Sequence, residues 1–331
     1  MSREHSAIIK GIGILFMMLC HLSWVAGNDA VNNRYFTMLT NASHMINYCL
    51  IISGYGLYLV YRNNRLNWRY LIRRTLRLYL SLWLVLFIFP VLLGSLLYPG
   101  RFSYSWFSLI TNFTGWRWDY CNFTWFLLPY VLMTFSAKWI FKLIDRYGDV
   151  VSFVAGSVIY LGSTWLISRY FVSFFNSHYS IYHLVLLAQT LFGLIIGAIL
   201  ARLTLRGKSL KLKCFEGKSW LVLAIFIVVY LLRGQIHSAA LNPFFAIFVV
   251  FTVVNIEWPR PVSAFFSSLG NELMMMWFLQ GFVGAMMFSE LYQPLKNPAL
   301  ILIVWILVTY IGARFLSPIS NQLARVLKLS K

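Results

Sequence analysis

The chain has 331 residues, of which 60% are hydrophobic and only 11% charged, with a mean hydropathy of +0.71. Ordinary soluble domains carry about 25% charged residues, and a single core cannot hide this much apolar surface, so a soluble fold is excluded. The 28 Lys and Arg against 9 Asp and Glu give a net charge of +19. These basic residues lie between apolar runs, which reads as membrane topology and not as a nucleic-acid surface.

The apolar runs are about 18–22 residues long, the length a helix needs to cross a bilayer at 1.5 Å per residue. The short alternating segments of a membrane β-barrel are not evident. Ten spans are predicted in chain order: 7–25, 43–61, 78–98, 121–142, 151–168, 182–202, 219–236, 240–256, 268–289 and 299–316. The expectation is an all-α, polytopic integral membrane protein of about ten transmembrane helices, one domain over 1–331 with no separate soluble part. The seventh and eighth spans share a tight connection around Arg233–Pro243, so one of them is open to a re-entrant path. The first run has no small-residue cleavage site where a signal peptide would end.

Orientation follows from the basic residues. With the N-terminus inside, 22 of the 28 Lys and Arg fall in inner segments and six in outer ones. This asymmetry predicts that both termini are cytoplasmic. The longest outer segment, about 99–120, carries Tyr104, Trp106, Phe107, Trp116, Trp118 and Tyr120. It reads either as an interfacial aromatic belt or as a platform on which a sugar stacks. The cysteines Cys20, Cys49, Cys121 and Cys214 have no metal-ligand or CxxC spacing, and no His/Asp/Glu grouping suggests a metal.

Chemistry-bearing residues are few. In the first span, Lys10 and His21 are eleven residues apart, which on one uninterrupted helix puts them on one face about 16 Å apart along the axis. Polar side chains are expensive inside a membrane, and histidine suits proton transfer near neutral pH. On these two residues alone, a snorkelling lysine and a histidine bonded to a neighbouring helix is the plainer reading. Six arginines lie between Arg62 and Arg77. Such a run binds either lipid headgroups or the phosphates of an anionic ligand. A second cluster, Arg202 to Lys218, carries the same alternatives. Glu272 is the one carboxylate well inside an apolar span, either functional or placed at an ordinary helix start. Asp119 lies beside Trp118 and Trp125 and is a candidate to orient a histidine or an acceptor hydroxyl. His44 and Asn47 begin the second span, within possible reach of His21. His178, His183 and His237 read as interfacial.

Taken in order, these elements resemble the membrane-bound acyltransferase-3 family. The opening Lys10, ten residues and His21 is similar to the family's basic residue before an essential histidine. Ile52-Ser53-Gly54-Tyr55-Gly56 resembles its Ser-Gly element, and Arg74 to Arg77 its RxxR motif. Asn122-Phe123-Thr124-Trp125-Phe126-Leu127 is similar to the Trp-Phe-Leu that opens its fourth span. Leu269-Gly270 followed by Trp277-Phe278-Leu279 resembles its late Leu-Gly…Tyr-Leu-x-His segment. The resemblance covers residues 5–130 well and 265–282 loosely. It departs at the late histidine, where Gln280 stands, and at Pro129 and Tyr130, where larger relatives often carry a Glu. The esterase-like domain fused to some relatives has no counterpart.

The resemblance implies a membrane O-acyltransferase of the kind that decorates bacterial surface glycans, residing in the inner membrane. Acetyl-CoA would be the acyl-donor substrate, with no bound cofactor, held by Arg73, Arg74 and Arg77. His21 would act as general base or carry the acetyl group, with Lys10 fixing the thioester end or the pantetheine-side phosphates. Ser53, Asp119, Trp125 and Glu272 would support the site or the acceptor. The acceptor would be a hydroxyl of a polysaccharide or its lipid-linked precursor; membrane lipids and no nucleic acid complete the expected partners. The alternative functions are a glycan transporter or flippase, disfavoured by the lack of an internal repeat, and a non-catalytic component of a glycan-assembly complex.

Overall fold

The computed structural model describes residues 1–27, 34–43, 46–171, 174 and 177–329, and among these all regular structure is helical. In chain order the helices are α1 (Arg3–Cys20), α2 (Leu22–Ala26), α3 (Arg34–Ala42), α4 (Ile46–Arg62), α5 (Trp68–Leu86), α6 (Gly94–Leu97) and α7 (Trp106–Phe113). They continue with α8 (Leu127–Tyr170), α9 (Tyr179–Leu205), α10 (Ser219–Gly234), α11 (Asn242–Asn255), α12 (Arg260–Asn271), α13 (Leu273–Gly281) and α14 (Pro298–Val326). The chain is an integral membrane protein with apolar transmembrane helices.

The expected count of ten spans is corrected. Among the described residues, four helical runs are long and apolar enough to cross a membrane: Trp68–Leu97, Asn122–Tyr170, Tyr179–Leu205 and Pro298–Val326. A crossing needs about 20 consecutive apolar residues. The first predicted span breaks at His21, and the ninth breaks at Glu272. The predicted second, seventh and eighth spans form helices of only 17, 16 and 14 residues. The fourth and fifth fall in one helical run, bent where Gly148 takes φ 82° and ψ 175°. Placing both termini on the cytoplasmic side rested on ten crossings and loses its basis with that count.

The residues gather into two compact units. The first comprises Met1–Cys20, Arg34–Asn67 and Pro129–Asn271. Its helices approach closely through small residues, the usual device where lipid removes the hydrophobic drive between helices. A Cβ on Gly11 of α1 would lie 2.0 Å from the Phe266 carbonyl oxygen of α12, and one on Gly270 would lie 2.0 Å from that of Ala7. Likewise a Cβ on Gly197 of α9 would meet the Ile51 carbonyl oxygen of α4 at 2.1 Å, and one on Gly54 that of Leu194 at 2.3 Å. Gly54 of the Ser-Gly element thus has a packing reason to be glycine.

Ion pairs join helices of the same unit. Arg202 bonds Asp145 and lies 2.6 Å from Asp149. Arg206 lies 2.8 Å from Asp149, and the Tyr58 hydroxyl donates to Asp145 at 2.6 Å. Buried Arg233 donates to the carbonyls of Ile236 and Ser238 and to Asn242, pinning the connection between α10 and α11.

The second unit comprises His21–Asn33, Trp68–Leu128 and Glu272–Lys331. Its helices are broken more often. The helix α5 passes into a π-helical stretch, Phe87–Leu93, that contains Pro90. Proline removes a backbone donor and clashes with the preceding turn, which loosens the ladder there. The helix α13 likewise passes into π-helical Phe282–Met286. The two stretches meet where the Phe89 and Phe282 rings stack with centroids 5.3 Å apart. The hydroxyls of Ser81 on α5 and Ser320 on α14 lie 2.9 Å apart.

Candidate functional site

The second unit builds a junction around His21. Helix α1 stops at Cys20, and His21 takes φ −93° and ψ 4° before α2 starts. This is the sparsely populated bridge region, where active-site residues often sit. The His21 carbonyl accepts from Trp24 N at 3.0 Å, which closes the turn. The imidazole is half-buried, with its ring centroid 4.4 Å from that of Phe123 and 5.5 Å from that of Trp24. The Trp24 and Phe123 rings are themselves 5.2 Å apart.

Phe123 is fixed from below by α13. Its carbonyl accepts from the Trp277 indole at 2.9 Å, and a Cβ on Gly281 would overlap its ring at 2.3 Å. A Cβ on Gly284 would lie 2.6 Å from Trp305 Nε1 and 2.9 Å from Val25 of α2. Glycine at 281 and 284 therefore lets α13 and its π-helical extension reach Phe123, α2 and α14. The Trp305 indole donates to the Gln280 carbonyl at 3.1 Å, tying α14 to the same turn. Gln280 is 0% exposed, and neither atom of its side-chain amide has a hydrogen-bond partner. Tyr292, whose hydroxyl donates to the Val283 carbonyl at 3.0 Å, is pushed up to about 12 by burial and stays a donor.

The other predicted residues are distributed as follows. Lys10 and Ser53 belong to the first unit, where the Ser53 and Tyr130 hydroxyls lie 3.0 Å apart and Lys10 lies within electrostatic reach of Cys49. The break at His21 removes the uninterrupted helix on which Lys10 and His21 were expected to share a face. Trp125 follows the 3-10 turn Asn122–Thr124 in the second unit, beside Phe126, whose ring is 6.2 Å from Trp277. Asp119 is half-exposed, 3.7 Å from Arg117, a pairing of small energetic weight.

Glu272 caps α13 with φ −94° and ψ 3°. It is buried, accepts from the Ser317 hydroxyl and lies 3.4 Å from Arg314. Arg73 and Arg77 stand one turn apart on α5, exposed and, among the described residues, without an ion pair; Arg74 is half-buried. In the second basic cluster, Arg202 and Arg206 are taken up by Asp145 and Asp149. His44 lies outside the described residues, and Asn47 and His183 are buried in the first unit.

The aromatic segment 99–120 is held by its own hydroxyls. The Tyr104 hydroxyl donates to the Pro90 carbonyl at 2.8 Å, and that of Tyr120 to the Ser103 carbonyl. Burial raises both phenols above their ordinary value. Trp106 and Phe107 stay exposed at 80% and 64%.

The residue that sequence reasoning left without a role is Gln280, whose backbone carbonyl is bonded by Trp305 of α14 and which directly precedes Gly281, the residue against Phe123. Among the described residues no group of His, Cys, Asp or Glu is placed to hold a metal ion. No family model, no curated protein and no solved structure matches the chain.

Proposed function

We propose that the protein is a membrane O-acyltransferase that moves an acetyl group from acetyl-CoA to a hydroxyl of a surface polysaccharide or its lipid-linked precursor. The observation that carries this reading is the placement of His21. A half-buried imidazole stands at a helix break, walled by Trp24 and Phe123, in the same unit whose α5 presents the unpaired Arg73 and Arg77. The resemblance to the acyltransferase-3 family, its bacterial inner-membrane setting included, supports it.

The chemistry assigns each group one task. The guanidiniums of Arg73 and Arg77 pair with the donor's phosphates through their planar donor forks. From Arg77 to Phe89, at the level of the π-helical junction, α5 rises roughly 18 Å, so the donor's long arm would run along this helix. Neutral His21 accepts the proton of the acceptor hydroxyl as its oxygen bonds to the acyl carbon. The tetrahedral intermediate then collapses, the C–S bond breaks, and the departing thiolate takes the proton from the imidazolium. The products are the O-acetyl ester and the free thiol.

The test is His21→Ala in cells that display the glycan, read by mass spectrometry of its acetylation. The reading predicts loss of the acetyl mass with the protein still present in the membrane. Wild-type acetylation in that variant would exclude His21 as base and favour a scaffold role.

A further inference from the structure

The Gln280 amide is a costly thing to bury. It is 0% exposed, and both Nε2 and Oε1 lack a partner, while its own backbone carbonyl is already taken by Trp305. An unpaired buried amide is destabilising, and an apolar side chain of the same shape would avoid that cost. A second polar atom on the facing helix is in the same condition: Thr309 Oγ1, one turn beyond Trp305, is 0% exposed and unpartnered.

The surroundings point to a ligand and not to a packing accident. The next residue, Gly281, touches Phe123, whose ring lies against His21. Immediately after it comes the π-helical stretch Phe282–Met286. Such stretches are well under 1% of residues in proteins and occur frequently at functional sites. Two of them meet here, through Phe89 and Phe282.

Acyl transfer needs a further group besides the base. Charge develops on the acyl oxygen, and it needs a fixed donor kept away from water. His21 is committed to the hydroxyl proton. Glu272, on the same helix, already serves Ser317 and Arg314. A primary amide is neutral, always carries two N–H donors and does not compete for the proton.

We propose that Gln280 is a catalytic residue that donates a side-chain N–H to the carbonyl oxygen of the acyl group and holds the charge that oxygen gains in the tetrahedral intermediate. This rests on the acyl-transfer reading above and adds the oxyanion donor to it. No proton changes place at Gln280. The oxygen gains charge as the acceptor bonds to carbon and returns it when the C–S bond breaks.

The experiment is a kinetic and thermal comparison of Gln280→Met, with Gln280→Leu as a second apolar replacement, in full-length protein in nanodiscs. The probes are radiolabelled acetyl-CoA and polysaccharide purified from the envelope of the expressing cell. The expected result is a kcat lowered about 100-fold or more, a KM for acetyl-CoA changed less than about threefold, and an unchanged or higher melting temperature. Turnover of both variants within about threefold of wild type would overturn the assignment while leaving the acyl-transfer reading intact. A lower melting temperature in both variants would also overturn it, because the amide would then have stabilising partners of its own. Wild-type protein that transfers no label would overturn both.

Discussion

The two compact units differ in how their helices are held. In the first, charges are mostly answered: Asp145 and Asp149 take Arg202 and Arg206, and three acceptors surround Arg233. Its helices are locked by glycines at backbone contact, although His5 Nδ1, the Tyr48 hydroxyl and Arg233 Nε stay unsatisfied. In the second unit, helices break at His21 and Glu272, run into π turns, and leave Gln280 and Thr309 without partners. Proteins that satisfy local rules almost everywhere tend to break them where they function. By that criterion the proposed chemistry belongs to the second unit, with the first as its scaffold.

That contrast can be sharpened by substitution. The largest effect on stability is expected in the first unit from Gly11→Val, whose Cβ would overlap the Phe266 carbonyl oxygen. Forcing α1 from α12 should cost about 3 kcal/mol, read by denaturant unfolding in detergent. A variant as stable as wild type would mean that the close crossing is not formed. Next is Asp149→Ala, which takes from Arg206 its carboxylate partner and leaves Arg202 with Asp145 alone. The expected loss is about 2 kcal/mol, with donor affinity untouched. Weakened acetyl-CoA binding in this variant would instead move the donor site to the second basic cluster. The smallest effect is expected from Arg77→Ala in the second unit, with acetyl-CoA affinity lowered about tenfold, the worth of one charge-assisted bond. Calorimetric titration would measure this, and the unfolding transition should not move, since Arg77 is exposed and, among the described residues, makes no ion pair. A shifted transition with unchanged affinity would make Arg77 structural.

Legibility in the sequence followed the range of the interactions. Helical class and membrane residence are written in composition and run length. Gly54 was legible as part of a motif, and the contact with Leu194 supplies its steric cause. The break at His21 was not legible. Cys20-His21-Leu22-Ser23-Trp24 contains neither proline nor glycine, and the residues packed around the turn, Phe123, Gly284 and Trp305, come from distant parts of the chain. Apolar periodicity runs straight through such a break, and this is how ten spans were read where four helical runs meet the length. The pairing of Arg202 with Asp145 joins residues 57 apart in the chain, so a basic cluster read as a surface turned out to be partly internal bonding. Glu272 stood between two readings; it occupies the N-cap position of α13 without a side-chain cap bond, and its carboxylate is held by Ser317 and Arg314. Gln280 could be noticed only as a departure from a motif, because an unpartnered amide is a property of packing.

The central claim is that His21 in the second unit performs acyl transfer. Purified wild-type protein and its His21→Ala variant, each given radiolabelled acetyl-CoA and envelope polysaccharide, test it most directly. The account predicts label on the polysaccharide with wild type and a loss of about a thousandfold in the variant, with unfolding unchanged. Label transferred equally by both, or by neither, would contradict it.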